Sequence, residues 1–143
     1  MDRKPALAAE TVQEFVGNAH GNLQRVEELL REEPALINAS WDWGGGDWET
    51  ALGAAAHMGR VDIATYLLEQ GARPDLFAAA MLGQTTVVSA IVGAWPAARD
   101  LRGPHGITLL AHARAGGEGA ATVVAYLETL EVATPEGANA VPA

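Results

Sequence analysis

The sequence predicts an all-α solenoid of about four helix–turn–helix repeats. The first observation is composition, because 29 of the 143 residues are alanine, the residue that favours helix most. The second is that four segments align on a glycine, each followed by apolar residues at helical spacing. The third is the absence of cysteine, which excludes disulfides and thiolate zinc sites.

Each aligned glycine follows a short stretch of small residues, such as 54–56 or 78–80, and precedes a longer apolar-patterned segment. Helical spacing on both sides of a glycine indicates two helices joined by a tight turn. The repeated unit is therefore helix, glycine turn, helix. The four glycines are Gly21, Gly59, Gly83 and Gly119, and the last alignment needs a short insertion at 116–118.

Several short motifs occur in the same order and register in these units. Thr50-Ala51-Leu52-Gly53-Ala54-Ala55 occupies the place of a T-P-L-H-x-A signature, and Gly106-Ile107-Thr108-Leu109-Leu110 is similar to G-x-T-P-L. Gly71-Ala72-Arg73-Pro74-Asp75 and Leu36-Ile37-Asn38-Ala39 resemble the G-A-D-V-N and D-V-N-A that end a repeat. From Thr11 to Leu130 the chain resembles the ankyrin-repeat family.

The spacing of the glycines predicts fingers of unequal size. With Gly117 taken as the fourth motif glycine, the spacings are 38, 24 and 34 residues, against a family period of about 33. The extra residues of the first gap fall in 41–48, which holds three tryptophans, while Asp75 abuts the next helix with no room for a hairpin. A third finger returns at 102–106. We expect a large Trp finger, no second finger and a Gly-Pro-His finger.

The chain is expected to hold one repeat domain at 11–130, after an N-terminal segment at 1–10 and before a disordered tail at 131–143. The stretch from Leu76 to Ala98 carries no charge and is long enough to span a bilayer. A Gly-Gln-Thr-Thr turn in its middle favours two short helices instead. With no signal peptide at the N-terminus, we expect a soluble, cytoplasmic protein.

A net charge of −9 argues against nucleic acid or an anionic membrane as the main partner. The resemblance implies a protein or peptide partner, bound on the concave side formed by fingers and inner helices. The missing finger suggests a compact pocket there, with Met81 and Leu82 bare. We also expect the carboxylates of the first finger to steer a basic partner. Alternatively, the finger packs one or two of its tryptophans onto the neighbouring inner helices. The predicted binding residues are Trp41, Asp42, Trp43, Asp47, Trp48, Glu49, His57, Met58, Met81, Leu82 and His105.

The same pocket allows a second interpretation, a small-molecule-binding protein or acid–base enzyme that uses Glu49, His57 and His105. Imidazole titrates near neutral pH, and a histidine beside a carboxylate suits proton transfer. This interpretation requires the three side chains to converge on a common point. The binding module is favoured over an enzyme, and His112 is expected to be a core residue. No cofactor and no metal site are expected, because the histidines lack a spacing such as H-E-x-x-H.

Overall fold

The computed structural model describes residues 3–133, and helices account for most of that part of the chain. The strands β1 (Ser40–Asp42) and β2 (Trp48–Thr50) form an antiparallel hairpin between the second and third helices. The predicted all-α repeat architecture is confirmed. The helices are α1 (Ala9–Asn18), α2 (Leu23–Glu32), α3 (Ala51–His57), α4 (Val61–Glu69), α5 (Leu76–Met81), α6 (Thr85–Ala94), α7 (Leu109–Ala115) and α8 (Ala121–Ala133).

The helices pack as four consecutive pairs, each an inner helix followed by an outer one. The inner helices α1, α3, α5 and α7 form a row in which each contacts the next. The outer helices are α2, α4, α6 and α8. The insertion that the fourth repeat requires is a short 3-10 helix, Gly117–Ala120, between α7 and α8.

Three of the four inner helices begin at a side-chain cap that the sequence supplies at the same repeat position. Thr50, Asp75 and Thr108 each accept a hydrogen bond from the backbone N–H three residues later, at 2.8–3.1 Å. Such a cap satisfies one of the backbone donors that a helix start leaves free. The repeat motif therefore fixes where each inner helix starts and where the preceding finger ends.

The turn glycines Gly59 and Gly83 are required by both backbone angle and space. Their φ angles are +66° and +75°, in the left-handed region that favours glycine. A Cβ on Gly59 would lie 2.3 Å from the Ala115 carbonyl oxygen, and one on Gly83 would lie 2.0 Å from that of Gly119. The turns of the second and third repeats therefore both approach the fourth repeat so closely that no side chain fits between them.

The alanine-rich composition is explained by this close stacking. Ala54, Ala55 and Ala56 of α3 are fully buried, and the three alanines of α5 are nearly so. Small side chains let neighbouring inner helices approach each other, and larger residues such as Phe15 and Leu67 fill the space between the rows. The apolar fraction of the sequence thus reflects the packing of a repeat array.

The second finger is absent, as the sequence predicts, and this alters the packing of the third. Pro74 and Asp75 lead directly into α5, which has only six residues. Helix α7 contacts α3 as well as α5, and Pro104 of the third finger lies against α3, where a Cβ on Gly53 would be 3.4 Å from its ring. The third finger therefore reaches across the gap to the second repeat.

The uncharged stretch 76–98 is made of α5, a turn, α6 and the first part of a 3-10 helix. Within residues 3–133 no helix has the length and apolar character needed to cross a membrane. Helix α8 continues to Ala133, three residues past the expected end of the repeat domain. The remainder of the predicted disordered tail, residues 134–143, lies outside the described residues.

Candidate functional site

The first finger, residues 40–50, is a hairpin whose tip is held by one carboxylate. Trp41 pairs with Glu49 and Asp42 with Trp48 across the two strands. The Asp42 carboxylate accepts hydrogen bonds from the backbone N–H groups of Gly44 and Gly46 at 2.8–3.1 Å. Gly44–Gly46 all have positive φ, which only glycine adopts at low cost. The triple glycine is therefore an ordered turn.

The third finger, residues 102–108, places His105 over the first. His105 has φ +62° and is the one non-glycine residue with positive φ in the described chain, a conformation that costs energy and occurs often at functional sites. Asp47 holds it there, because its carboxylate accepts from the His105 backbone N–H at 2.7 Å and from the His105 Nδ1 at 2.6 Å. The two fingers thus contact each other directly.

Glu49 lies beneath this contact, and its side chain is wholly buried. The three ring nitrogens nearest to it are His57 Nε2 at 2.9 Å from Oε2, His105 Nε2 at 3.2 Å from Oε2 and His20 Nε2 at 3.1 Å from Oε1. Trp43 Nε1 donates a hydrogen bond to Oε1 at 2.9 Å. We call the four residues His20, Glu49, His57 and His105 the His/Glu cluster.

The local sequence explains why a carboxylate is buried here. Glu49 is the central residue of β2, between the exposed Trp48 and the helix cap Thr50, so the strand alternation turns its side chain inward. Burial raises the pKa of Glu49, but the contact with His57, the electrostatic effect of His20 and the Trp43 hydrogen bond outweigh it. The pKa therefore lies below its ordinary value, and Glu49 is ionised.

His20 and His57 reach Glu49 from adjacent positions at the ends of the first two inner helices, one residue before Gly21 and two residues before Gly59. Each follows or ends an inner helix, just before the turn glycine. The Nδ1 of His20 lies 3.2 Å from the carbonyl oxygen of Val16 and 3.0 Å from that of Gly17, so this nitrogen carries a proton and donates. The rings of His20 and His105 stand 5.0 and 5.1 Å from that of His57. Three imidazoles thus surround one carboxylate.

One short contact in the cluster lacks hydrogen-bond geometry. Glu49 Oε2 and His57 Nε2 are both buried and lie 2.9 Å apart, yet neither forms a hydrogen bond with any described residue. One donor atom from each of the four residues lies within 4.8 Å of the other three. The His/Glu cluster is the group in residues 3–133 whose geometry suits a metal ion, and it also brings imidazole and carboxylate together for proton transfer.

The structure brings Glu49, His57 and His105 together, as the acid–base interpretation requires. Trp43, Trp48 and Met58 are exposed, to 38%, 62% and 50%. Trp41 is half-buried against the core of the first two repeats, as the packing alternative predicted for some of the tryptophans.

The prediction that Met81 lies bare is wrong. Met81 is buried in the core, because its helix packs directly between α3 and α7 where the finger is missing, and Leu82 is half-buried. Fingers one and three close on each other through Asp47 and His105, so the compact pocket expected over a bare Met81 is not formed.

The prediction that Glu49 steers a basic partner is also wrong, because its carboxylate is buried and surrounded by ring nitrogens. Asp42 and Asp47 are half-buried and bind the finger tip and His105. The finger carboxylates are therefore occupied within the chain.

Sequence reasoning did not include His20 in the site. The signal was present, since His20 lies one residue before the aligned Gly21 and His57 two residues before the aligned Gly59. Corresponding segments of adjacent repeats lie side by side in a stacked array. The repeat alignment could have placed both histidines together.

The comparisons with known proteins agree with this architecture. The family model described as Ankyrin repeat matches residues 47–77, which run from the end of the first finger through α3 and α4 into α5. A search of curated proteins finds no match. Ankyrin repeats generally mediate contacts between proteins. Residues 47–77 thus form an ankyrin repeat, and the four helix pairs stacked in order have the all-α architecture of an ankyrin-repeat solenoid.

Proposed function

We propose that the protein binds a protein partner on its finger face, which we define as Trp43, Trp48, Met58, His20 and His105. The observation that carries the proposal is the exposure of Trp48, in a rigid hydrogen-bonded finger, and of Met58, which directly follows the cluster residue His57. Tryptophan supplies large contact area and is enriched among residues that dominate binding energy, and methionine adapts to irregular partners. A finger fixed by Asp42 loses little conformational entropy on binding.

The charge of the whole chain supports a basic partner. The three finger carboxylates are occupied within the chain, so local steering by them is weak. The net charge of −9 nevertheless produces a long-range negative potential that speeds association with a positively charged protein. Raising the salt concentration should therefore slow association more than it speeds dissociation.

A capture experiment with matched variants tests this proposal. The purified chain, a Trp48→Ala/Met58→Ala variant and a Trp95→Ala control are each used to capture partners from extract of the native cell. Trp95 is also exposed, but it follows the outer helix α6, away from the fingers. We expect the wild type and the Trp95 variant to capture the same protein and the double variant to lose it. Capture by the double variant, or by none of the chains, would contradict the proposal.

A second candidate function is ligand binding or proton transfer at the His/Glu cluster. The convergence of Glu49, His57 and His105 within 3.2 Å favours it. A thermal-shift screen of small molecules with wild type and His105→Ala tests it. A compound that stabilises the wild type alone supports this function, and the absence of any compound that distinguishes the two chains counts against it.

A further inference from the structure

We propose that His20, Glu49, His57 and His105 form a binding site for one divalent transition-metal ion of the Zn²⁺ class. The proposal deepens the second candidate function by naming its ligand, and it does not depend on the protein partner. The residues come from the first two repeats and from the third finger. Each offers one donor atom to a shared centre.

The hydrogen bonds made by the far side of two rings fix which nitrogen faces the centre. His20 Nδ1 donates to backbone carbonyls of α1, and His105 Nδ1 lies 2.6 Å from an oxygen of Asp47. Since carbonyl and carboxylate oxygens accept, both Nδ1 atoms carry protons. In the neutral form of each ring, Nε2 then presents a bare lone pair to the Glu49 carboxylate. A nitrogen lone pair and a carboxylate oxygen repel each other at this distance, and a cation bound between them removes the repulsion.

The contacts around Glu49 are close but not all are hydrogen bonds. Three rings surround one buried carboxylate, with ring centres as little as 5.0 Å apart. The 2.9 Å contact between His57 Nε2 and Glu49 Oε2 lacks hydrogen-bond geometry. A shared ion accounts for both observations, because each donor atom then binds the ion rather than its neighbour.

The distances within the cluster fit a coordination shell. Zn²⁺ binds imidazole nitrogen at about 2.0–2.1 Å and carboxylate oxygen at about 2.0–2.2 Å, so neighbouring ligands of a tetrahedral site lie about 3.3 Å apart. Glu49 Oε2 lies 2.9 and 3.2 Å from Nε2 of His57 and His105, and Oε1 lies 3.1 Å from Nε2 of His20. The four donor atoms all lie within 4.8 Å of one another, so small side-chain rotations would bring them onto one ion. Three nitrogens and one oxygen favour zinc, iron or cobalt over Ca²⁺ and Mg²⁺, which prefer oxygen ligands.

The groups around the cluster are those expected to orient metal ligands. A histidine bound to a metal usually donates its other ring nitrogen to a carboxylate or carbonyl, as His105 does to Asp47 and His20 does to α1. Trp43 donates to the Glu49 oxygen nearest His20 and orients the carboxylate. The left-handed backbone of His105, held by its two bonds to Asp47, places the fourth ligand.

The site is closed on one side and open on the other. Glu49 and His57 are buried, whereas the side chains of His20 and His105 are 27% and 32% exposed. An ion can therefore enter between the two exposed rings. The same two residues can be replaced without opening the core, which makes them suitable for mutation.

Zinc titration of chelator-treated full-length protein tests the proposal. Isothermal titration calorimetry should give one Zn²⁺ per chain with a dissociation constant in the micromolar range or tighter. His20→Ala and His105→Ala should each weaken binding at least about 10-fold, and Asp47→Asn should weaken it about 10- to 100-fold through His105 alone. Asp62→Asn, an exposed acid on α4, is the control and should bind as the wild type does. Circular dichroism checks that each variant folds.

Three results would overturn the proposal: no zinc binding, more than one equivalent per chain, or an affinity that His20→Ala and His105→Ala leave unchanged. The last two describe adventitious binding at surface groups. Co²⁺ gives a second measurement, since bound Co²⁺ should show visible absorption in the wild type that is lost in the His20→Ala/His105→Ala variant. Failure of zinc binding leaves partner binding through Trp48 and Met58 unaffected, so the two proposals can fail separately.

Discussion

Replacing Trp43 by phenylalanine should destabilise the protein more than the same change at Trp48. The two residues belong to the same finger, but Trp43 donates a 2.9 Å hydrogen bond to Glu49, and its ring lies 6.0 Å from His20 and 6.4 Å from His105. Phenylalanine keeps most of the ring and removes the donor. Trp48 is 62% exposed and has little packing to lose.

The expected loss at Trp43 follows from the bond that is removed. A hydrogen bond to a charged group contributes about 1.5–3 kcal/mol, and leaving a buried carboxylate oxygen without its donor falls in that range. Because Trp43 is partly exposed, water can replace some of the bond, and we expect about 2 kcal/mol. For a domain of this size that lowers Tm by about 8 °C. Trp48→Phe should stay within about 0.5 kcal/mol of the wild type.

Urea denaturation and thermal denaturation of the two variants, in the presence of a chelator, measure this difference. Chelation removes any effect of bound metal, so the two changes are compared in the same state. If Trp43→Phe and Trp48→Phe change the free energy of unfolding equally, the Trp43–Glu49 bond does not stabilise the finger and the reasoning fails.

The remaining predictions concern metal linkage, pH and the turns. Zn²⁺ at about 100 times its dissociation constant should stabilise the wild type by about 2.7 kcal/mol, or about 10 °C in Tm, and His105→Ala should lose this shift. An equal shift in both chains would contradict the site. Burial lowers the pKa of His112, so its contribution to stability is complete above about pH 6.5 and falls as the pH drops further. The free energy of unfolding of the wild type minus that of His112→Leu, measured by urea denaturation, should therefore decrease from about pH 7.5 to about pH 5.5. An increase in this difference would refute the sign of the argument. Gly83→Ala should cost several times more than Gly71→Ala, because its Cβ would lie 2.0 Å from a carbonyl oxygen and that of Gly71 has nothing within 4 Å. We expect Gly71→Ala to lower the free energy of unfolding by about 1 kcal/mol, from backbone strain alone. If urea denaturation gives a similar loss for Gly83→Ala, the close approach of Gly83 to the Gly119 carbonyl does not limit the side chain.

The repeat architecture could be predicted from the sequence because each of its determinants is local. The capping residues Thr50, Asp75 and Thr108 and the turn glycines act within a few residues of their own helix. The missing finger follows from counting residues between Gly59 and Gly83. These features repeat along the chain, so each supports the interpretation of the others.

The arrangement of the site could be predicted only in part, because its residues are distant in sequence. His20, Glu49 and His105 belong to three different repeats, and no short motif links them. That the third finger folds onto the first depends on the shortness of α5 and on the Asp47–His105 bond. The burial of Met81 also depends on the shortness of α5, which packs directly between α3 and α7. The sequence shows that three tryptophans lie in the first finger, but only the packing shows that Trp43 and Trp48 face solvent.

The most direct test of the central claim, that the His/Glu cluster holds a metal ion, is anomalous X-ray scattering from crystals of the zinc-loaded protein. Data collected above and below the zinc absorption edge locate the ion without assumptions about its ligands. The account predicts one anomalous peak per chain, about 2.0–2.2 Å from Nε2 of His20, His57 and His105 and from a Glu49 oxygen. No peak at this position, or zinc found only at other surface residues, would contradict it.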